Sequence, residues 1–375
     1  MSGKSVSGRQ TAEPIVAYYT GTDTLLNGYP LCYDHDGSTA ALRSSTVEKP
    51  TLANLLAGGF AGVVVNAPSG GVVPASGATR TKVYLQPALP EGMELRDIDV
   101  YTDQSVTIGD LLGPIPGSYA FGRAVIPGCA VFRASETIDR SATSGVCNGI
   151  LGRINIADYP DKILALDDHF LSALISATAD LNRYILTANS GAATIVETVA
   201  GGVLGIVTST TGETSVIMNG EPWSLAAGKS IFMRFRVASS PLTAGEDAVI
   251  GLALYDVAPM ASLPTDYIWF RLDGSASAPK INLEYVKDGT GGAVASVLGD
   301  AVSGTYYDIA MLITNKATGT SGQKVVRAWI NQVSIAHTTT EAEVPDDELM
   351  TFCISALGDE ATTLLVDRAQ ILMNL

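Results

Sequence analysis

The chain is poor in charge, in aromatic rings and in the residues that usually carry chemistry. Of 375 residues, 16% are charged and 7% aromatic, with three histidines and four cysteines. Soluble domains average about 25% charged residues, so this surface relies on uncharged polar groups. No Lys/Arg cluster occurs, and 23 basic residues face 38 acidic ones, a net charge of −15. Nucleic-acid binding needs a basic patch that displaces phosphate counterions, so direct work on DNA, RNA or an anionic membrane is not expected. Long hydrophobic runs are lacking as well. The most apolar stretch, Leu52 to Val65, holds 14 residues with three glycines, against the roughly 18 that a bilayer requires. The opening MSGKSVSGRQTAEP has no apolar core for a signal peptide.

Catalytic and metal motifs are equally scarce. Cys32, Cys129, Cys147 and Cys353 show no CxxC spacing. They read as structural thiols, with a Cys129–Cys147 bridge as the alternative. His35, His169 and His337 each lack a second His or Cys at ligand spacing, so no zinc site is expected. Asp167-Asp168-His169 reads as an acidic start to a short helix rather than a base or metal ligand. Asp34-His35-Asp36-Gly37 reads as an Asx-type turn, without the spaced acids of a calcium loop. There is no GxSxG elbow and no GxxxxGK[ST] loop. The glycines of Gly149–Gly152 and Gly201–Gly205 fit a turn or bulge between strands better than a phosphate cradle. A glycosidase needs two carboxylates about 5–9 Å apart. Glu341, Glu343, Asp346, Asp347 and Glu348 fall in a Pro-containing connection and read as a solvated loop, while Glu284 and Asp308 stand alone on strands. No catalytic, cofactor or metal residue is assigned, and no enzyme activity is expected.

What the chain has is β pattern and punctuation. Hydrophobic residues make up 46%, with 38 glycines and 17 prolines, so many short strands separated by turns are expected. Residues 1–160 hold eleven basic and fourteen acidic residues, and residues 161–375 hold twelve and twenty-four. Net charge is thus −3 before the join and −12 after it, and all three tryptophans lie in the second part. The division falls at Asp158-Tyr159-Pro160-Asp161. Residues 1–14 read as a flexible polar arm and 15–160 as a small β-barrel or sandwich, with a helix over Pro50–Ala57 ending at Gly58-Gly59. Residues 161–375 read as an antiparallel two-sheet sandwich, with a helix around Leu166–Leu174. In Ser230–Val237, Phe232, Arg234 and Arg236 alternate with Ile231, Met233, Phe235 and Val237, giving one solvated and one buried face. No internal repeat of fixed period is evident. The fold class is therefore all-β.

Three segments carry a resemblance: Gly201-Gly202-Val203-Leu204 with Thr208, the strand Lys229–Val237, and Val249-Ile250-Gly251-Leu252-Ala253. With Trp329-Ile330-Asn331 and the terminal Val366-Asp367 strand, residues 165–375 resemble the concanavalin A-like (laminin-G-like) jelly rolls of phage virion proteins. Asn331-Gln332 stands where such turns usually have Asn-Gly. Gly58–Val65 and Gly117–Val125 resemble segments of small β-barrel head-decoration (cement) proteins of tailed phages. The resemblance implies a virion structural protein, made in the host cytoplasm and placed on the capsid surface. It would bridge major capsid protein subunits through residues 15–160, as a homo-oligomer, with a trimer favoured. The alternative is a lectin-like adhesion or tail-fibre protein whose jelly roll binds a surface glycan, through aromatics such as Trp223, Tyr255, Trp269 or Tyr285.

Overall fold

The computed structural model describes the chain apart from residues 1–13, 36–44, 89–94, 128–131, 141–142, 153–162, 169, 171–174, 177–183, 189–191, 197–201, 209–211, 241, 244, 275–277, 290–293, 317–323 and 359–361. The polar arm, Cys129 and His169 lie outside the described residues. The chain divides into two compact units, Met1–Pro160 and Asp161–Leu375, and nearly all regular elements among the described residues are strands.

The first unit holds two closed barrels where one was expected. Strands β1 (Ile15–Tyr19), β2 (Pro30–Tyr33), β3 (Thr46–Glu48), β4 (Phe60–Val65) and β5 (Thr81–Gln86) close in the order 1-3-2-4-5. Strands β6 (Leu95–Thr102), β7 (Leu111–Pro114), β8 (Phe121–Arg123), β9 (Phe132–Ala134) and β10 (Gly145–Leu151) close in the same cyclic order. In each barrel the first and third strands run parallel and the other neighbours antiparallel. An isolated bridge also recurs, Leu25 with Val72 and Val106 with Ile138. The unit thus holds one topology twice, although no repeat of fixed period is evident in its sequence. What repeats is topology, not sequence.

Alternation explains each barrel. Ala17, Tyr19, Leu31, Val47, Val64, Val83 and Leu85 turn inward to one core, and Val100, Leu112, Phe121, Phe132, Cys147 and Leu151 to the other. Helix α1 (Leu52–Leu56) lies inside the expected span; its N-cap Thr51 accepts a bond from Asn54 N, an N-cap arrangement that satisfies an orphan donor. Gly149 sits at a register shift of β10, and a Cβ there would meet Arg133 O at 2.3 Å. The bulge reading of that glycine holds. Residues 105–108 contribute one isolated bridge, at Val106.

The second unit is a two-sheet jelly-roll sandwich. The first sheet joins β11 (Ile163–Asp168), β14 (Ala192–Val196), β15 (Val203–Val207), β18 (Ser230–Ser240), β23 (Tyr307–Asn315), β24 (Lys324–Ile330), β25 (Val333–Ile335) and β27 (Thr363–Asn374). The second joins β12 (Ile175–Ser176), β13 (Tyr184–Ala188), β16 (Gly212–Met218), β17 (Trp223–Ser224), β19 (Asp247–Ala253), β20 (Tyr267–Asp273), β21 (Lys280–Val286), β22 (Val294–Asp300) and β26 (Leu349–Gly358). Met233, Phe235 and Val237 from β18 meet Ile250, Phe270, Leu283 and Phe352 from the opposite sheet in one core. The Phe235 and Phe352 rings stack at 5.8 Å.

Two local expectations change. Residues 163–168 form strand β11, paired with Asn374 to Ala369 of β27, so the expected helix around Leu166–Leu174 does not begin at Leu166; residues 169 and 171–174 of it lie outside the described residues. Ladder bonds along a whole strand outweigh the weak helix-start signal of two aspartates. Phe232, expected on the solvated face of β18, is fully buried, so that face is polar only from Arg234 onward.

Candidate functional site

The polar part of the first sheet's outer face opens into a cavity of about 450 Å³ lined by Arg234, Arg236, Tyr306, Asp308, Asn331, Asp367 and Arg368. Volumes of about 300–1,000 Å³ are usual for small-molecule sites. Three ion pairs build it from four strands. Arg234 Nε and Nη2 donate to the Asp308 carboxylate at 2.9 and 2.5 Å. That carboxylate, outweighing burial, holds the guanidinium above its usual range. Arg236 Nη1 reaches Asp367 Oδ2 at 2.8 Å, and its guanidinium lies 5.1 Å above the Tyr306 ring. Arg368 donates to Asp167 at 3.0 Å. A register shift beside Arg236 pairs it with Arg368 and the next residue, Val237, with Val366, leaving Asp367 as the extra residue. Such bulges re-aim side chains at the edge of a site. Asn331, at the tip between β24 and β25, anchors the rim by accepting Asp308 N at 3.0 Å and donating its own N to Asp308 O at 2.7 Å.

The outer face of the second sheet carries a different polar group, and it is sealed. Glu213, 6% exposed, accepts from Ser355 Oγ at 2.5 Å, Ser215 Oγ at 3.1 Å, Met260 N at 2.9 Å and Ala261 N at 2.8 Å. The last two belong to helix α2 (Pro259–Ser262), so one carboxylate fastens the 254–266 segment over the sheet. Beneath it Trp269, Tyr267, Val249, Cys353 and Met260 pack together. Trp269 Nε1 donates to Glu284 Oε2 at 3.1 Å.

The acidic connection is a lysine-bridged network. Asp346 meets Lys287 at 2.6 Å and Lys324 at 2.9 Å, and Asp347 meets Lys287 at 3.1 Å. Burial pushes the Asp346 carboxyl upward, but these lysines outweigh it and hold it below its usual value. Carboxylate oxygens of Asp266, Asp288 and Asp347 lie within 4.8 Å of one another. Asp266 Oδ1 already accepts Asp288 N at 3.1 Å, and Lys287 reaches Asp347, so two of the three acids have partners within the chain.

The residues singled out from sequence fall as follows. Glu341 and Glu343 sit on a single 3-10 turn. Asp308 belongs to the cavity, and Glu284 to the sealed face. Trp223, Trp269 and Tyr285 are buried, while Tyr255 is 46% exposed. Cys32, Cys147 and Cys353 are buried thiols, none of them in a disulfide. Burial, with Glu136 next for Cys147 and Glu213 next for Cys353, pushes both of those thiols up to about 12, which leaves them poor nucleophiles. The cavity has no local motif: Asp167, Asp308 and Asp367 lie far apart in sequence, and the Arg234–Arg236 alternation and the lone Asp308 mark only part of it.

A fourth polar cluster joins the two barrels. The Tyr29 ring stacks on Tyr119 at 5.1 Å and meets the edge of Tyr101 at 5.0 Å. Tyr119 Oη donates to Asp23 Oδ2 at 2.8 Å and also contacts the Tyr19 hydroxyl. Burial, then these two bonds, raises the Tyr119 phenol well above its ordinary value. Lys49 lies 4.3 Å over the Tyr119 ring.

Neither the known protein families nor the curated proteins contain a match to this sequence. Solved structures similar to part of the chain include the Emp47p carbohydrate recognition domain (10% identity, 56% of this chain and 96% of that one, TM-score 0.39). They also include peanut lectin (14% identity, 56% and 97%, TM-score 0.39). A third is the endo-1,3-beta-glucanase of Streptomyces sioyaensis (10% identity, 56% and 96%, TM-score 0.38).

Proposed function

We propose that the chain is a structural protein of the virion surface, a head-decoration (cement) protein that grips the shell through residues 15–160. The observation that carries this reading is the duplicated barrel. Two modules of one topology, in the near-neutral unit, suit a surface whose binding sites themselves repeat. The −12 of residues 161–375 suits a domain that faces solvent and keeps particles apart. The test is co-sedimentation of the purified chain with heads that lack it. Saturable binding that weakens on deleting residues 1–14 supports the reading; a chain that stays in the supernatant overturns it.

A second reading has its own observation, the cavity over Arg236 and Tyr306. Its three arginines and the three aspartates that pair with them balance in charge, and with one aromatic ring and one amide they suit a neutral polyhydroxyl ligand, a glycan. Binding to a glycan array that vanishes in Tyr306→Ala but survives Tyr255→Ala supports it. An array left blank by the wild type refutes it.

A further inference from the structure

The two barrels can be superimposed residue by residue from their pairing. Tyr19 faces Val47 across the parallel pair of one barrel, as Thr102 faces Phe121 in the other. That sets Tyr18 equivalent to Tyr101. The antiparallel partners agree, Tyr18 with Lys82 and Tyr101 with Val146. The corners before β2 and β7 agree as well. Gly28 N donates to Val64 O and Gly109 N to Ala134 O, at 2.9 and 2.8 Å. The two glycines share one left-handed conformation, φ +88° and +89°, which glycine adopts without strain.

Within the chain, the first barrel's corner covers the second barrel's face. Gly28 O accepts Tyr101 N at 2.9 Å. A Cβ on Gly28 would stand 2.9 Å from that nitrogen, so only glycine allows the approach. Tyr29 closes over the Tyr101 ring.

The matching halves are both open. Nothing lies within 4 Å of a Cβ placed on Gly109, and Ile108 beside it is 65% exposed. On the first barrel, Val16, Tyr18 and Tyr84 are 47%, 39% and 39% exposed, with Arg80 and Lys82 set over the two rings. Exposed tyrosines beside cations are the chemistry in which interface energy concentrates. Each chain therefore holds one filled corner-to-face join and, among the described residues, an exposed corner and an exposed face of the same topology, with Asp110 standing where Tyr29 stands in the filled corner.

We propose that the Ile108–Gly109 corner of one copy seats on the Val16–Tyr18–Tyr84 face of the next, so that chains associate head to tail. Tyr18 N already donates to Ser45 O at 2.9 Å, so the join between copies runs through the rings rather than that amide. An interface of this kind is heterologous and closes into a ring when its rotation allows. A ring of three chains would set six like barrels side by side. The join rests on the barrels alone: a monomer that still binds heads would overturn it and leave the virion reading standing.

Sedimentation velocity of the full-length chain tests it. The wild type should run as an oligomer, and both Tyr18→Ser/Tyr84→Ser and Ile108→Asp should run as monomers with unchanged circular dichroism. The decisive sample is an equimolar mixture of the two variants. One retains its corner and the other its face, so together they should form one join, and a dimer that grows no further. A monomeric wild type, an oligomer that survives both variants, or a mixture that stays monomeric would each overturn the proposal.

Discussion

Replacing Glu213 by alanine should loosen the 254–266 segment before it disturbs the sandwich beneath. The carboxylate receives two backbone N–H groups and two hydroxyls at a nearly buried position. Hydrogen bonds to a charged group contribute about 1.5–3 kcal/mol each, and a buried donor left without a partner costs about 1–3 kcal/mol. The hydroxyls can rotate towards each other, since Ser215 and Ser355 already lie 2.9 Å apart. The amide of Met260 cannot, whereas Ala261 N also reaches Ala258 O at 3.1 Å, so the loss centres on Met260, and about 1–3 kcal/mol is expected. For a unit of this size that lowers the melting temperature by roughly 3–10 °C. Glu213→Gln keeps one acceptor oxygen but turns an N–H towards one of the amides, and about half the loss is expected. The local readout is Cys353, 1% exposed and packed with Met260 under the segment. Its labelling by a thiol reagent, located by peptide mass spectrometry, should accelerate at least tenfold in Glu213→Ala under native conditions. A loss below about 1 kcal/mol, with Cys353 still protected, would refute the reasoning.

Gln332 holds φ +67° in the two-residue tip after Asn331, where glycine carries no penalty. Gln332→Gly should raise stability by about 0.5–1 kcal/mol, and an unchanged or lower urea midpoint counts against the strain. Tyr119→Phe keeps the stack on Tyr29 but strips the hydroxyl from Tyr19 and Asp23; a fall of about 1–2 kcal/mol in the denaturant midpoint is expected, and no change would mean the junction rests on ring packing alone. The Lys287–Asp346 pair should act between two pH limits. Asp346 is depressed below 3.8, so its contribution is complete above that value and lost as pH falls through the folded pKa. Lys287 is raised above 10.5, so its share is complete below that value and lost as pH rises further. The stabilities of wild type and Lys287→Met should therefore differ at neutral pH, by about 1 kcal/mol for a part-buried pair near the surface, and converge at both extremes. A difference independent of pH would contradict the pairing.

Much of this architecture is visible in residue order. Alternation along Ser230–Val237 and the turn at Asn331-Gln332 mark strands and hairpins directly, because a pleated strand buries every second side chain whatever its partner is. The duplication is not visible, and the reason is physical. A small closed barrel requires apolar residues inward and a left-handed corner, so the shared signature shrinks to Leu25-x-x-Gly28 and Val106-x-x-Gly109. The helix expected at Leu166–Leu174 misjudged Asp167: its carboxylate serves Arg368 and Gln370 across the sheet, a use that local spacing does not show. The cavity was half legible. Arg234 and Arg236 stand out as charges in an apolar strand, but their aspartates come from β23 and β27, and pairing between distant strands leaves no sequence motif. Glu213 and Ser215 share a face by simple alternation, yet nothing local shows that the 259–262 turn folds onto them.

The proposed role is that of a repeating component covering a shell. Quantitative mass spectrometry of purified particles, scaled to the major capsid protein, measures that directly. Hundreds of copies per particle, in simple ratio to the shell protein, are the expected result. A count of a few to tens would place the chain at the tail and contradict the claim.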